Sequence, residues 1–346
     1  MKRALQDRQA TQKRKKEHLH LALNGDISSR RLTSGFEQYS FVHQALPEMN
    51  LSSVDMHTSL FGRSLRSPIV ISSMVGGIDE ALVLNRNLAV AAEELGLAMG
   101  VGSQRCGLDD PGSIVSYLVR DVAPDILLFA NLGAVQLNYG YSVDHCRRAV
   151  DMIGADVLVL HLNPLQEALQ PEGNADFEGL LGKIETVCRE LEVPVVVKEV
   201  GFGISRDVAA RLVDAGVAGI DVAGAGGTSF SCIEISRAAG ADHNDAFSEW
   251  GIATAESLKM VRLVAPNLPV IASGGIRTGV EVAKAIALGA DAAGIGAPLL
   301  KSAANSASDV VQQLSGIVKD LRIAMFCTGC STIDELKNTN LLVQRN

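Results

Sequence analysis

The stretch SGGIRTGVEVAKAIALGADAAGIGAPLL, residues 273–300, runs from the end of one apolar strand through an amphipathic helix to the end of another. Before it stands LPVIASG (268–274), a short run of branched apolar residues bounded by glycine. Within it, Val280 to Leu288 places its apolar residues on one helical face and stops at Gly289. Strand, helix and strand in this succession are the mark of a parallel sheet.

Working outward, the same unit recurs along the chain. Apolar runs stand at Pro68 to Met74 (PIVISSM), Ala98 to Ser103 (AMGVGS), Ile126 to Leu132 (ILLFANL), Val157 to Asn163 (VLVLHLN), Val193 to Val200 (VPVVVKEV), Gly219 to Ala223 (GIDVA), Leu268 to Gly274 and Ala292 to Ala297 (AAGIGA). Amphipathic stretches separate them, such as Asn85 to Leu95, which ends at Gly96. About eight such runs fit an α/β fold of the (β/α)₈ barrel kind. An open doubly wound sheet gives the same local alternation and ranks second, because it differs only in closure. Ser73, Ser103, Asn131, Asn163, Lys198 and the pair Gly274 and Gly275 all fall at or just past the C-terminal ends of their runs. In a barrel those ends converge on one face, where active sites lie.

Composition narrows the function classes. The 346 residues are 47% hydrophobic and 20% charged, enough for a large ordered core. With 31 basic against 39 acidic residues the net charge is −8, which speaks against a nucleic-acid-binding surface and makes any anion site local. Aromatic residues make up 4% while glycine numbers 33, a balance that suits parallel strands joined tightly to helices. Six cysteines, at 106, 146, 188, 232, 327 and 330, read as reduced thiols of an intracellular protein. The apolar runs fall short of a membrane span and the N-terminus is polar, so a soluble, cytoplasmic protein is expected. Lys2, Arg3, Arg8, Lys13, Arg14, Lys15 and Lys16 precede any leucine-rich stretch and read as a basic arm outside the core. The expected division is an arm over the barrel mouth, residues 1–50, followed by the barrel, residues 51–346. Two long connections, 164–178 and 225–250, interrupt the short-loop pattern, and the second, which holds the only tryptophan, Trp250, reads as a lid.

Several motifs carry chemistry. Glycines 274, 275, 294 and 296 let backbone N–H groups approach an anion, and a helix N-terminus follows, so the last two strand ends read as a phosphate cradle or, without a ligand, as tight turns. Lys198 ends a strand of valines and is poised to hold an anionic cofactor ring or form a Schiff base; pairing with Glu199 is the plain structural alternative. His161, Asn163, Gln166 and Glu167 gather hydrogen-bonding groups at one strand end, and Glu167 suits Mg²⁺ shared with substrate phosphates. Arg14, Lys15 and His18, with Arg105 on another strand end, form two basic clusters able to clamp a diphosphate. Cys327 and Cys330 have CxxC spacing without a second pair, and Gly182-Lys183-Ile184 is no P-loop.

Together these pieces resemble the type 2 isopentenyl-diphosphate isomerases, FMN-dependent (β/α)₈ barrels, over nearly the whole chain. The likeness rests on RKKEH (14–18), SSMVGG (72–77), GSQR (102–105), ANLGA (130–134), HLNPLQEALQPEG (161–173), VKEVGFGIS (197–205), AGAGGTSF (223–230), WGIATAESL (250–258) and the final glycine loops. The resemblance implies FMN contacts from Ser73, Met74, Val75, Ser103, Asn131, Lys198 and Thr228. Gly275, Ile276, Arg277, Gly296 and Ala297 would hold its phosphate. It assigns the substrate diphosphate to Arg14, Lys15, His18, Ser103, Arg105, His161, Asn163 and Gln166, with Gln166 also catalytic through orienting substrate and water, and Mg²⁺ to Glu167. The family usually has Thr at the position of Val75 and Trp at that of Phe230. The implied reaction interconverts isopentenyl and dimethylallyl diphosphate in isoprenoid synthesis, with FMN reduced by NADPH and acting as acid and base. Closed homo-oligomers, tetramers or octamers, are implied as well. The rivals are an FMN-dependent hydroxy-acid-oxidising enzyme, for which His243 and Arg237 are poorly spaced, and a non-enzymatic flavin-binding module.

Overall fold

The computed structural model describes residues 2–25, 31–237 and 245–345. Strand β1 (Tyr39–Phe41) and the hairpin β2 (Thr58–Leu60) and β3 (Arg63–Leu65) precede eight barrel strands. These are β4 (Ile69–Ile71), β5 (Ala98–Gly100), β6 (Leu128–Gly133), β7 (Val157–Leu162), β8 (Val195–Glu199), β9 (Gly219–Asp221), β10 (Val270–Ser273) and β11 (Ala292–Ile295). They pair in parallel and close, β11 against β4, so the barrel expected from the strand count is the fold and the open sheet is set aside. The last strand, β12 (Leu342–Gln344), pairs antiparallel with β1 on the outside. Several runs are shorter than their apolar stretches: Ser72 to Val75 leave β4 to enter the mouth.

Strand alternation explains how one sequence serves both core and site. Val70, Phe129, Val157, Val159, Val196 and Ile271 point inward and form a dry floor, plugged by Leu60 and Leu65 of the hairpin. Two residues on, the inward positions become Asn131, His161, Lys198 and Ser273, with Lys198 in register with Asp221 of β9. Leu128, Ala130, Leu132, Leu158, Leu160 and Val197 face outward to pack against the helices. Helix Asp79–Leu95 ends on Gly96, left-handed at φ 63, and helix Gly279–Ala287 begins with a Thr278 and Glu281 capping box.

At the floor one clamp is built twice, four barrel strands apart. Arg120 donates to the carbonyls of Pro124, Ile126 and Gly154 and to Asp156 Oδ2, which also accepts the Leu128 N–H. Arg262 donates to the carbonyls of Ala265, Pro266, Leu268 and Gly289 and to Asp291 Oδ2, which accepts the Val270 N–H. The sequence repeats with the geometry: RDVAPDILL (120–128) matches RLVAPNLPV (262–270), and Gly154-Ala155-Asp156 matches Gly289-Ala290-Asp291.

Candidate active site

A cavity of about 570 Å³ opens at the C-terminal mouth and is lined by every residue singled out from the sequence for cofactor, diphosphate or metal. At its glycine end, the N–H groups of Gly275, Ile276 and Gly296 donate to no group among the described residues. Ser72 Oγ is buried there without a partner, and a Cβ on Gly294 would come within 2.6 Å of it. Thr254 Oγ1 donates to the Gly274 carbonyl at 2.6 Å and holds the loop open. The Arg277 N–H is instead taken by Glu281 Oε2 at 2.8 Å, so only its exposed side chain is open to the cavity.

Lys198 is buried at the centre of the mouth. Its expected structural alternative, an ion pair with Glu199, is not formed, because strand alternation sends the Glu199 carboxylate outward. There it accepts the N–H groups of Val200, Gly201 and Phe202 at 2.5–2.7 Å. Burial pushes Glu199 up to about 7, against these three donors. Lys198 Nζ donates to the Glu199 carbonyl at 2.7 Å and lies 3.7 Å from Asp221, which in turn accepts from Ser273 Oγ at 2.6 Å. Asp221 went unread in the sequence, although an acid in the middle of GIDVA was a usable signal.

At the other end, helix Pro164–Leu169 brings Gln166 and Glu167 back over Asn163. Asn163 Nδ2 donates to Gln166 Oε1 at 3.1 Å and Glu167 Oε1 at 2.9 Å, while Gln170 Nε2 and the Asn174 N–H donate to Glu167 Oε2 at 2.6 and 2.5 Å. Arg105 reaches this cluster through Asn174 Oδ1 at 3.1 Å. Gln170, missed from sequence, sits three residues after Glu167 and was findable by helical spacing. His161 Nδ1 meets Asn131 Oδ1 at 2.8 Å, which fixes the proton on Nδ1 and leaves Nε2 as an acceptor. Burial, then the charges of Lys198 and Lys15, lower the His161 pKa to about 3. The unfolded chain binds that proton near pH 6.5 and the folded one only near 3, so between these values the unfolded state holds more protons and stability rises with pH. The imidazole resonances of His161 are expected to stay unshifted from pH 8 to 5 in an NMR titration; movement centred near 6.5 would contradict this environment.

The arm is helix Lys2–Asn24, and its last turns are not outside the core as expected: Leu19 is 7% exposed and joins the main cluster. The segment expected to be a lid contains helix Phe230–Arg237, which meets the arm, while Trp250 is 59% exposed against Phe247. His18 Nε2 lies 2.8 Å from Glu234 Oε1, and its ring stands edge-on to Phe230 at 5.9 Å. Arg237 pairs with Glu17, Glu172 and Glu234, and Arg14 lies 3.9 Å from Glu172. That engagement removes Arg237 as the carboxylate clamp of the hydroxy-acid reading, and His243 lies outside the described residues. Glu234 and Glu172 gave no sequence signal, because their partners are remote in the chain. Val75 packs against the core and its carbonyl accepts the Gly102 N–H at 2.9 Å. Cys330 is buried and Cys327 half-buried; none of the six cysteines is in a disulfide, and no cluster of three metal-ligating side chains exists among the described residues.

The family model for FMN-dependent dehydrogenases matches residues 167–343 of this closed barrel with its glycine-lined, cation-ringed mouth, which places the chain in a flavin-dependent enzyme class. A mandelate oxidase structure with bound (S)-mandelic acid superposes with a TM-score of 0.66 over 99% of this chain and 98% of that one at 21% identity, a likeness of fold. Isopentenyl-diphosphate delta-isomerases of Stutzerimonas stutzeri and of a Nostoc species are 51% and 46% identical, each over 97% of this chain and 98% and 97% of their own length. The chain belongs to the isopentenyl-diphosphate delta-isomerase family. No helix among the described residues is long and apolar enough to cross a membrane.

Proposed function

We propose that this protein interconverts isopentenyl and dimethylallyl diphosphate for isoprenoid synthesis, with reduced FMN, NADPH as its reductant, and Mg²⁺. The observation that carries the reading is the division of one cavity into a glycine end with free N–H donors and an amide and carboxylate end under a cationic helix. The unpartnered Ser72 Oγ and the donors of Gly275, Ile276 and Gly296 suit a phosphorylated cofactor. Ser73, Met74, Val75, Ser103, Asn131, Lys198 and Thr228, with Arg277 and Ala297 at the rim, would hold the rest of it. When bound, reduced FMN supplies the acid and base needed to move a double bond. Glu167 is the only carboxylate among the described lining residues, so those residues offer no second carboxylic acid to the alkene.

Beside Glu167, the buried Asn163 Oδ1 and Gln170 Oε1 lack partners, a set of hard oxygens that suits Mg²⁺ with phosphate and water. Gln166 Oε1 is engaged by Asn163, so its Nε2 hydrogens face substrate or water. Arg14, His18, Arg105 and Ser103 hold the diphosphate, Lys15 adds positive charge to the same end, Asn163 meets it through the shared Mg²⁺, and the neutral His161, whose Nε2 accepts, meets it through water. The arm helix, Lys2–Asn24, covers the mouth and excludes water. We place the enzyme in the cytoplasm as a closed homo-oligomer, tetramer or octamer.

An anaerobic assay with reduced FMN, Mg²⁺ and isopentenyl diphosphate tests this. Dimethylallyl diphosphate is expected to accumulate over many turnovers without stoichiometric loss of reductant. A protein that binds no FMN, or that oxidises 2-hydroxy acids while leaving the diphosphate unchanged, would overturn the reading.

A further inference from the structure

Five consecutive barrel strands, β6 to β10, each turn one polar side chain toward the mouth: Asn131, His161, Lys198, Asp221 and Ser273. Short bonds close the two ends of this belt, His161 Nδ1 to Asn131 Oδ1 at 2.8 Å and Ser273 Oγ to Asp221 Oδ1 at 2.6 Å. Lys198 stands between them, in register with His161 on one side and Asp221 on the other. His161, whose pKa burial lowers to about 3, is neutral and balances no charge. Asp221 forms the only ion pair of Lys198 among the described residues. Both side chains are buried, but Lys198 lines the cavity and Asp221 does not. The two are also kept apart. Asp221 Oδ1 accepts both the Ser273 hydroxyl and the Ala223 N–H, the latter at 3.2 Å, where the backbone bends through φ 35. So anchored, the carboxylate stops 3.7 Å from Lys198 Nζ, beyond hydrogen-bond length and well within reach of charge attraction. The ammonium gives one hydrogen to the Glu199 carbonyl at 2.7 Å and keeps others for the occupant of the cavity.

We infer that Asp221 is a positioning residue: held back by Ser273 and Ala223, it fixes the Lys198 ammonium and offsets its charge without capturing its hydrogens, and so sets how strongly the site favours reduced over oxidised flavin. This rests on the proposed function only in taking FMN as the occupant. Two-electron reduction places negative charge on the flavin ring, and charged groups near the ring tune that step. An ammonium with no counter-charge would hold the reduced form most tightly; a carboxylate 3.7 Å away on the side remote from the cavity weakens that hold.

The test is the midpoint potential of FMN bound to the full chain, measured anaerobically against a reference dye at neutral pH and without diphosphate. Asp221→Asn removes the charge and keeps an oxygen for the Ser273 and Ala223 donors. It is expected to raise the ratio of reduced to oxidised FMN at a given potential by about ten-fold, which is about 30 mV for a two-electron couple. Lys198→Met is expected to lower the same ratio by at least as much. A merely structural Asp221 would behave otherwise: the variant would lose thermal stability or FMN content, while the FMN it retained would keep a ratio within about two-fold of wild type. That result overturns the inference, as does a lowered ratio in Asp221→Asn or an unchanged one in Lys198→Met. Should Asp221→Asn fail to fold, Asp221→Ser removes the same charge in a smaller side chain and decides; failure of both to hold FMN gives Asp221 a structural role and overturns the inference as well. A wild-type chain that takes up no FMN overturns the proposed function together with this reading, whereas bound FMN indifferent to Asp221 overturns this reading alone.

Discussion

Glu167→Gln is expected to lower turnover by about 10²- to 10⁴-fold while the protein retains its flavin, because on the role proposed for Glu167 several kcal/mol of charge stabilisation at Mg²⁺ and diphosphate would disappear. The substitution keeps the volume and removes the charge. It also turns an acceptor into a mixed group: the new amide N–H would face Asn163 Nδ2, Gln170 Nε2 or the Asn174 N–H, all donors to the present carboxylate. A donor set against donors leaves buried groups unsatisfied, which adds a penalty of about 1–3 kcal/mol. The FMN spectrum should be unaltered, since the glycine loops lie at the opposite end of the cavity. Turnover and Mg²⁺ dependence equal to wild type would remove Glu167 from the metal role.

Arg262→Met is expected to destabilise the fold by about 3–5 kcal/mol, as for a partly buried ion pair with one partner removed. For a chain of this size that corresponds to a fall in Tm of about 4–7 °C. Four carbonyls lose their donor, and Asp291 keeps only Lys337 and the Val270 N–H. The clamp lies at the floor, away from the mouth, so FMN affinity should stay constant. Thermal unfolding followed by circular dichroism measures the shift; a change under about 1 °C would show that the network is decorative.

The barrel was legible because strand period and glycine stops are local properties: LPVIASG and AAGIGA announce buried strands, and Gly96 and Gly289 announce helix ends. The site residues on strand ends were legible for the same reason, since alternation alone turns Asn131, His161 and Lys198 inward. What escaped was long-range. Nothing near Lys15 in the chain points to Tyr117, and nothing near His18 points to Glu234, 216 positions away. Asp221 replaced Glu199 as the acid beside Lys198 because adjacency in sequence puts two strand residues on opposite faces. The stretch 225–250 read as irregular because its helix, Phe230–Arg237, is short and packs against helix Pro164–Leu169 and the arm, both remote in sequence.

The duplicated arginine clamp has a consequence for how the barrel is put together. RxVAP followed by GAD fastens β6 to β7 and again β10 to β11, so each run of four barrel strands carries its own rivet. A cut between β7 and β8 would leave one such fastening in each half, so the two halves of the barrel are secured at the base by the same device.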